Sequence, residues 1–361
     1  MAFTLSIYPW VYVGKFDESW SGNFIEQEHL SPEEEAALSG NELEALHNRR
    51  NSFPDLPLVN YTSQYGLGCF EGVKALPQKD GGLKVFRPDE NAARMSRSMK
   101  GLGMPGVDEE LCERAILGSV GRNADLGFTV KYDPAWEKDS FLTAGSIYIR
   151  PFSWSEPGIG ISLSHKPWLV VVNTAVSAYF SGSTFDAVTT DMIRATPRGT
   201  GWIKCDANYV IPCLAKNKAV QAGYMEAIFL DAAEHKYIEE GSSCNFFSVL
   251  KDGTLVTPGL GDTILPGITR KSIITLAQDR GIKVEERKLA LEEVLSDGAE
   301  SFVSGTAAGI TPITSLTHEG NKVVFKNGTP GELTMSLLKE LKGIQYGVLE
   351  DRHNWMVPVE S

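Results

Sequence analysis

The sequence predicts an α+β fold divided into two domains. Its 361 residues exceed the roughly 100–200 residues of one ordinary domain. Short apolar runs typical of strands are mixed with runs of helical periodicity, without the regular strand–helix–strand alternation of a doubly wound parallel sheet. Segment 177–191, rich in small and polar residues, lies near the middle of the chain. It is predicted to connect a first domain, 1–176, to a second, 192–361.

Composition excludes several classes of function. The chain has 34 basic and 46 acidic residues, a net charge of −12, which argues against nucleic-acid or anionic membrane partners because both need a positive field. No apolar run approaches the ~18 residues of a membrane span, and the N-terminus lacks signal-peptide character. The five cysteines are scattered and the six histidines isolated. We therefore expect a cytoplasmic protein without a disulfide framework or a metal site.

The first predicted elements are a helix and a hairpin. Ser31 can cap a helix that begins at Pro32 and has an acidic first turn. Short apolar runs within 65–86 flank the Lys-Asp-Gly-Gly sequence at 79–82. Runs of this kind around a glycine-containing turn predict a β-hairpin.

Two helices and two strands complete the first half. Apolar residues at helical spacing predict helices over 88–100 and from 108 onward. Apolar runs at 146–151 and 168–174 predict strands, and the nearly continuous second run is typical of a buried strand.

The second half is predicted to mix the same kinds of element. A helix over 211–223 leads into a strand at 226–231. An Asp-Gly turn joins predicted strands at 245–250 and 254–257. A Pro-Gly pair then opens a helix over 266–279, which ends before a glycine.

Lys204 is a candidate nucleophile. It follows a glycine-rich turn, precedes an apolar helix and has mostly uncharged neighbours, a setting in which a lysine amine can form a Schiff base. A solvated surface lysine is the alternative. Tyr209, five residues later, is either a phenol of the same site or a packed aromatic residue.

The acidic pair Glu239-Glu240 precedes a run of small residues and then an apolar strand. A carboxylate at the mouth of a buried strand costs free energy unless a cation pairs with it. The alternative is an ordinary turn with two solvated acids.

Two further segments have the character of anion-binding loops. The Pro-Gly pair that opens the helix at 266 leaves the amides of Ile268 and Thr269 available to a phosphate. The small-residue loop 304–309 can bring backbone amides and the Thr306 hydroxyl close to an anion; a simple tight turn is the alternative. Together, an amine, a carboxylate, a phenol and two anion-binding loops are the groups that a pyridoxal-phosphate enzyme needs.

In this order, the four segments resemble the fold-type-IV pyridoxal-phosphate enzymes, most closely the branched-chain amino-acid aminotransferases. The resemblance extends to Tyr-Gly-Leu-Gly-Cys-Phe-Glu-Gly at 65–72, Phe-Arg-Pro at 86–88 with Arg94, Ser-Ile-Tyr-Ile-Arg-Pro at 146–151 and Gln-Tyr-Gly at 345–347. It covers roughly residues 54–347 and implies a site at the domain interface.

The resemblance implies a role for each cofactor-binding residue. Lys204 would form the Schiff base with pyridoxal 5'-phosphate and act as the catalytic acid and base. Glu240, preferred to Glu239 on the family's spacing to Asn245, would pair with the pyridine nitrogen. Tyr209 would hydrogen-bond to the phenolic oxygen. The phosphate would be bound by Arg94 in bidentate geometry, by the amides of Ile268 and Thr269, and by Thr306.

The resemblance also implies a substrate pocket. Its residues would be Tyr65, Phe70, Tyr148, Arg150, Ser243, Ala307 and Ala308. Arg150 would accept the side-chain carboxylate of glutamate or 2-oxoglutarate, and the loop Thr306–Ala308 would lie near the α-carboxylate. The loop matching 156–161 reaches the neighbouring subunit in this family, so a homodimer is implied.

Two departures from the family pattern stand out. Asp206 and Ala207 replace the small glycines that usually follow the lysine, and we expect a carboxylate so close to Lys204 to alter the electrostatics and packing of this loop. Segment 308–311 lacks the redox Cys-x-x-Cys of some mammalian members.

Three alternative functions stay open at this stage. A D-amino-acid aminotransferase or an aminodeoxychorismate lyase of the same fold would share the lysine and the acid, although both are generally shorter. A non-catalytic binding module of the same fold would not need Lys204, Tyr209, Glu240 and Arg94 together.

Overall fold

The computed structural model describes residues 6–52, 56–176, 185–307 and 309–359. The strands are β1 Trp10–Asp17, β2 Ser19–Glu26, β3 Val73–Pro77, β4 Leu83–Phe86, β5 Ser146–Trp154, β6 Trp168–Val176, β7 Asp186–Thr189, β8 Glu226–Leu230, β9 Tyr237–Gly241, β10 Asn245–Leu250, β11 Leu255–Pro258, β12 Val284–Arg287, β13 Leu289–Ala290, β14 Gly298–Gly305, β15 Gly309–Ile313, β16 Ser315–His318, β17 Asn321–Val324 and β18 Met356–Pro358. The α-helices are α1 Pro32–Ala37, α2 Gly40–Asn51, α3 Tyr61–Tyr65, α4 Pro88–Gly101, α5 Glu109–Asp125, α6 Val210–Gln221, α7 Ile268–Asp279, α8 Leu291–Asp297 and α9 Glu332–Gln345. Short 3₁₀ turns occur at Pro134–Asp139, Asp206–Tyr209 and Lys326–Gly328.

The chain folds into two compact units, and their boundaries differ from the predicted ones. The first unit holds Met1–Tyr179, Cys205–Ala207 and Ile344–Ser361, and the second holds Phe180–Lys204 and Asn208–Gly343. Within the predicted second domain, 192–361, Cys205–Ala207 and Ile344–Ser361 belong to the first unit. One physical reason is β18, which pairs with β4 of the first sheet, a long-range pairing that local sequence patterns do not reveal.

Among the described residues of the first unit, seven strands form an antiparallel sheet in the order β18-β4-β3-β5-β6-β1-β2. The predicted hairpin is confirmed as β3 and β4, with Ala75 opposite Val85. Helix α5 packs on β1, β5 and β6, and α4 packs on α5. Met95 and Met99 of α4 are fully buried, as their helical spacing predicts.

Local signals determine where these helices begin. Ser31 and Ser39 each form a capping box with the glutamate three residues later. Pro88 begins α4, and the Asp108 side chain accepts a hydrogen bond from the Leu111 amide at the start of α5. The predicted starts of α1, α4 and α5 are confirmed, whereas α2 was not predicted.

The second unit is built on a larger sheet of mixed direction, which contains the order β12-β11-β10-β9-β8-β7-β16-β17. Strands β13, β14 and β15 join it beside this path. Strand β7 runs parallel to both β8 and β16. This strand lies within the predicted connector 177–191, of which residues 177–184 lie outside the described part of the chain. A four-residue strand held by partners far along the chain gives little local signal.

Around this sheet, a continuous core forms from residues such as Ile228, Phe246 and Leu316, which are completely buried. Helix α7 begins after Pro266-Gly267, as predicted. Mixed strand directions and helices outside a regular alternation confirm the α+β class. In the ranges that the structure describes, we find no helix with the length and apolarity needed to traverse a lipid bilayer.

Candidate active site

Lys204 lies between a glycine-rich turn and a 3₁₀ turn that leads into α6. The 3₁₀ turn Asp206–Tyr209 brings Tyr209 back toward the lysine, so that Lys204 Nζ donates a hydrogen bond to Tyr209 Oη over 2.7 Å. Asn208 secures this loop, because its Nδ2 donates to the carbonyl oxygens of Thr200 (2.7 Å) and Ile203 (2.9 Å). The backbone just before the lysine is therefore fixed by a residue just after it.

Glu240 on β9 is buried beside a cation that the sequence analysis did not identify. Its Oε1 lies 2.5 Å from Arg194 Nη2, and it accepts weaker hydrogen bonds from the Leu265 amide and from Asn245 Nδ2, both at 3.3 Å. Burial raises the pKa of Glu240, while the charges of Arg194 and Lys204 oppose that rise. The influence of Lys204 indicates that the amine and this carboxylate lie in one electrostatic environment.

Glu239, the rival acid, has different surroundings. Burial raises its pKa to about 7 despite a hydrogen bond with Thr263. Its Oε2 is buried and accepts no hydrogen bond from any residue in the described ranges. Because neighbouring residues of a strand point to opposite faces, only one of the two acids can face a given partner. Of these two, Glu240 has the direct Arg194 contact and the hydrogen bond from Asn245.

The start of α7 is an uncapped helix N-terminus. Gly267 is the N-cap, and no described side chain hydrogen-bonds to the first amides, those of Ile268 and Thr269. Gly267 lies so close to Asn245 that a Cβ at this position would overlap Asn245 Oδ1. The helix start is thereby held near Glu240, since Asn245 contacts both. This leaves backbone donors and the positive end of the helix dipole available to an anion.

A second loop of small residues follows β14. Gly305 lies against the backbone of Ser243, because a Cβ on Gly305 would lie 3.4 Å from the Ser243 carbonyl oxygen. Ser304 is the register partner of Asn245, so the loop carrying Thr306 and Ala307 begins at the same sheet edge as Glu240. Ala308 lies outside the described residues.

In the first unit, Arg94 of α4 is buried and paired with Glu71. Arg94 Nε and Nη2 each donate to a different oxygen of Glu71 over 2.7 Å. The predicted bidentate contact of Arg94 with a phosphate stays a prediction; this edge of the guanidinium contacts a carboxylate of the chain. The physical reason is that a buried guanidinium requires an opposite charge.

Also in the first unit, Phe70, Tyr148 and Arg150 form one cluster. Arg150 Nη2 donates to Tyr148 Oη over 2.9 Å, and the guanidinium lies 4.5 Å from the Phe70 ring centroid. Gly72 makes room for the tyrosine, because a Cβ there would overlap Tyr148 Oη. The predicted Tyr65 is nearly half exposed, and its Oη accepts a hydrogen bond from the Gly160 amide over 3.0 Å.

The structure thus brings Phe70, Tyr148 and Arg150 together in one unit, and brings Lys204, Tyr209 and Glu240 into one neighbourhood in the other. Sequence reasoning missed Arg194, Asn208 and Glu71. The free-energy cost of burying Glu240 required a cation, but no local spacing indicated that position 194 supplies it.

The chain is similar to several known proteins. The family model "Amino-transferase class IV" matches residues 68–316. A protein of Staphylococcus epidermidis named "Probable branched-chain-amino-acid aminotransferase" is 39% identical over 305 residues, covering 82% of this chain and 81% of that protein.

Two solved structures of branched-chain amino acid aminotransferases also match. The one from Thermoproteus uzoniensis, a thermophilic archaeon, was solved with norvaline; it is 28% identical, with a TM-score of 0.72, and the match covers 85% of this chain and 95% of the other. The one from T.th. with pyridoxamine 5'-phosphate is 26% identical, with a TM-score of 0.74, and the match covers 98% of this chain and 99% of the other. A family match over more than half of the sequence and a close relative across four fifths of it lead to one conclusion: this chain belongs to the class IV aminotransferases.

Proposed function

We propose that this protein transfers the amino group of the branched-chain L-amino acids leucine, isoleucine and valine to 2-oxoglutarate, and catalyses the reverse reaction, with pyridoxal 5'-phosphate as cofactor. The observation that carries the proposal is the Lys204 amine, 2.7 Å from Tyr209 Oη, in the electrostatic neighbourhood of a buried carboxylate. The 39% identical relative supports the substrate class through its name.

The second unit supplies donors and acceptors that fit this cofactor. The uncapped amides of Ile268 and Thr269 suit a phosphate, and Thr306 would add its hydroxyl. Glu240 suits a protonated pyridine nitrogen, because a buried carboxylate requires a positive partner. Tyr209 would hold the phenolic oxygen. Arg94 would also contribute to the phosphate.

The cofactor, when bound, would supply an electron-withdrawing ring that accepts the electrons left when the substrate Cα loses its proton. Lys204 would hold the cofactor and then move that proton, taking it at Cα and returning it at the cofactor's C4′ atom. Tyr209 orients the amine through their hydrogen bond, and Asn208 fixes the loop that carries it. The charge of Arg194 opposes the rise that burial causes in the pKa of Glu240.

Phe70, Tyr148 and Arg150 would accommodate both kinds of substrate side chain. The aromatic faces offer apolar contact to leucine, isoleucine or valine. The guanidinium, held over Phe70 and hydrogen-bonded to Tyr148, would bind the second carboxylate of glutamate or 2-oxoglutarate. Tyr65 would complete this pocket.

The α-carboxylate is common to all of these substrates, so its binding site need not change between half-reactions. We assign it to Ser243, Thr306, Ala307 and Ala308. The closeness of the Gly305 backbone to Ser243 supports a single carboxylate-binding group.

We further propose a cytoplasmic homodimer. Loop 156–161 carries Ile159, 80% exposed, and Ile161, fully exposed, and Tyr65 Oη anchors the loop at Gly160. Exposed apolar side chains on an anchored loop are typical of a protein interface, and here a second copy of the chain would cover them.

Absorbance spectroscopy of the purified protein tests the proposal. We expect a visible band that is lost on addition of L-leucine and returns with 2-oxoglutarate. Lys204→Ala should lack this cycle, whereas the matched Lys218→Ala, an exposed lysine of α6, should retain it. A band that ignores L-leucine but responds to D-alanine would replace the proposed substrate class. Absence of any band after pyridoxal phosphate is added would contradict the role of Lys204.

A further inference from the structure

The Asp206 carboxylate lies in the first unit, where neighbouring residues leave room for it. Its amide donates to the Gly68 carbonyl oxygen over 2.9 Å, and the backbones of Cys205 and Cys69 form an isolated antiparallel β-bridge. A Cβ on Gly68 would overlap Asp206 Oδ2 and would lie 2.7 Å from Thr62 Cγ2. Only glycine at position 68 therefore leaves room for this side chain in its present conformation.

The charged group that influences Asp206 is Arg150. Burial raises the pKa of Asp206 to about 6, and the positive charge of Arg150 opposes the rise. Arg150 Nε is buried without a hydrogen-bond partner in the described ranges. The effect of Arg150 on Asp206 is electrostatic. The other titratable groups near Asp206 include the Lys204 amine, two residues earlier in the chain, and the hydroxyl of Tyr148. They also include the buried thiols of Cys69 and Cys205, and Glu71, which is paired with Arg94.

We propose that Asp206 is a specificity-determining residue whose negative charge opposes the binding of a second carboxylate at Arg150. This inference rests on the proposed function, in which Arg150 receives the side-chain carboxylate of a dicarboxylate substrate. Such a ligand adds a like charge near Asp206, whereas an apolar side chain adds none. Asp206 therefore shifts the enzyme's preference away from dicarboxylates and toward apolar substrates.

The pH dependence follows from the same interaction. A bound dicarboxylate favours the protonated form of Asp206, so its binding takes up a proton. Affinity for the dicarboxylate then increases as the pH falls through about 6, and affinity for an apolar monocarboxylate does not. A like-charge effect at a partly solvated site amounts to about fivefold in affinity.

Calorimetric titration of the holoenzyme with glutarate and with 4-methylvalerate, at pH 5.5 and 8.0, tests the inference. At pH 8.0, Asp206→Asn should bind glutarate about fivefold more tightly than the wild type, and the two proteins should converge at pH 5.5. Protonation of glutarate itself affects both proteins equally, so it cancels in the ratio of the wild-type and Asp206→Asn affinities. The control Asp80→Asn, in the exposed turn of the first hairpin, should match the wild type, and 4-methylvalerate should bind all three alike.

The inference is overturned if the affinities of wild type and Asp206→Asn for glutarate differ by less than twofold at pH 8.0. It is also overturned if the substitution changes the affinity for 4-methylvalerate by the same factor. Should Asp206→Asn not fold, Asp206→Gly replaces it, and wild-type proton uptake on glutarate binding near pH 6.5 must still be observed. The two hypotheses separate cleanly, because these titrations need no turnover. Absence of amino transfer from leucine with the predicted glutarate ratio intact would refute the proposed function alone.

Discussion

Replacing Lys342 by methionine is expected to stabilise the protein at neutral pH. Lys342 lies on α9 and is buried. Its Cε and Nζ lie beside Gly309, at 3.1 and 3.4 Å from the position that a Cβ would take there. Burial lowers the pKa of this lysine from 10.5 to about 8, because the charged form loses solvation.

The effect on the free energy of unfolding follows from the difference between the folded and unfolded pKa values of Lys342. A lysine that titrates near 8 when folded and near 10.5 when unfolded destabilises the fold by about 3 kcal/mol while both states are protonated, that is, below pH 8. Between pH 8 and 10.5 the folded lysine loses its proton and the unfolded one keeps it, so the free energy of unfolding rises with pH. About 2 kcal/mol should be regained between pH 7 and pH 10.

Urea unfolding at pH 7, 8.5 and 10 measures this effect as a difference between proteins. Lys342→Met, which keeps the unbranched aliphatic chain, should exceed the wild type by about 1–3 kcal/mol at pH 7, with the gap closing toward pH 10. Lys339→Met, an exposed position on the same helix, should show no pH-dependent gap. A gap for Lys342→Met that stays constant from pH 7 to pH 10 would refute the argument.

Three further substitutions probe the site. Gly267→Ala should weaken pyridoxal-phosphate retention at least about tenfold, because the new Cβ overlaps Asn245 and displaces the start of α7; unchanged retention on ultrafiltration would contradict this. Glu71→Gln should lower the free energy of unfolding by about 3 kcal/mol, since it removes the buried negative charge that pairs with Arg94; an unchanged urea midpoint would count against it. Tyr209→Phe should reduce kcat for leucine about tenfold through loss of the Lys204 hydrogen bond, with thermal stability retained; wild-type kcat would show that Tyr209 does not position the amine.

Helices and turns that are determined by local sequence signals could be predicted from the sequence. The turn at 79–82, Pro88 at the start of α4 and the Pro-Gly before α7 act within a few residues of themselves, and each element begins where its signal predicts. Strands β7 and β18 depend instead on partners far along the chain. That dependence explains why local sequence patterns did not indicate these two strands.

The site shows the same division. Tyr209 is five residues from Lys204, and one 3₁₀ turn suffices to join them. Arg194 and Glu240 lie far apart in the sequence, so their ion pair forms only in the tertiary fold. Glu71 and Arg94 likewise meet only after β3, β4 and α4 have formed, so the paired state of Arg94 was not visible in the sequence.

The return of the chain to the first sheet has a consequence for biosynthesis. Strand β18 completes the edge beside β4, and Gln78 Nε2 donates to the carbonyl oxygen of Gln345, 267 residues away. On a ribosome, most of the first unit emerges early but lacks this edge strand until residue 358 has been synthesised. Until then, β4 is unpaired on that side of the nascent sheet, and an exposed edge of this kind favours wrong strand pairing. The second unit, by contrast, has all of its residues by position 343. Completion of the N-terminal half is expected to be the last event in the folding of this chain.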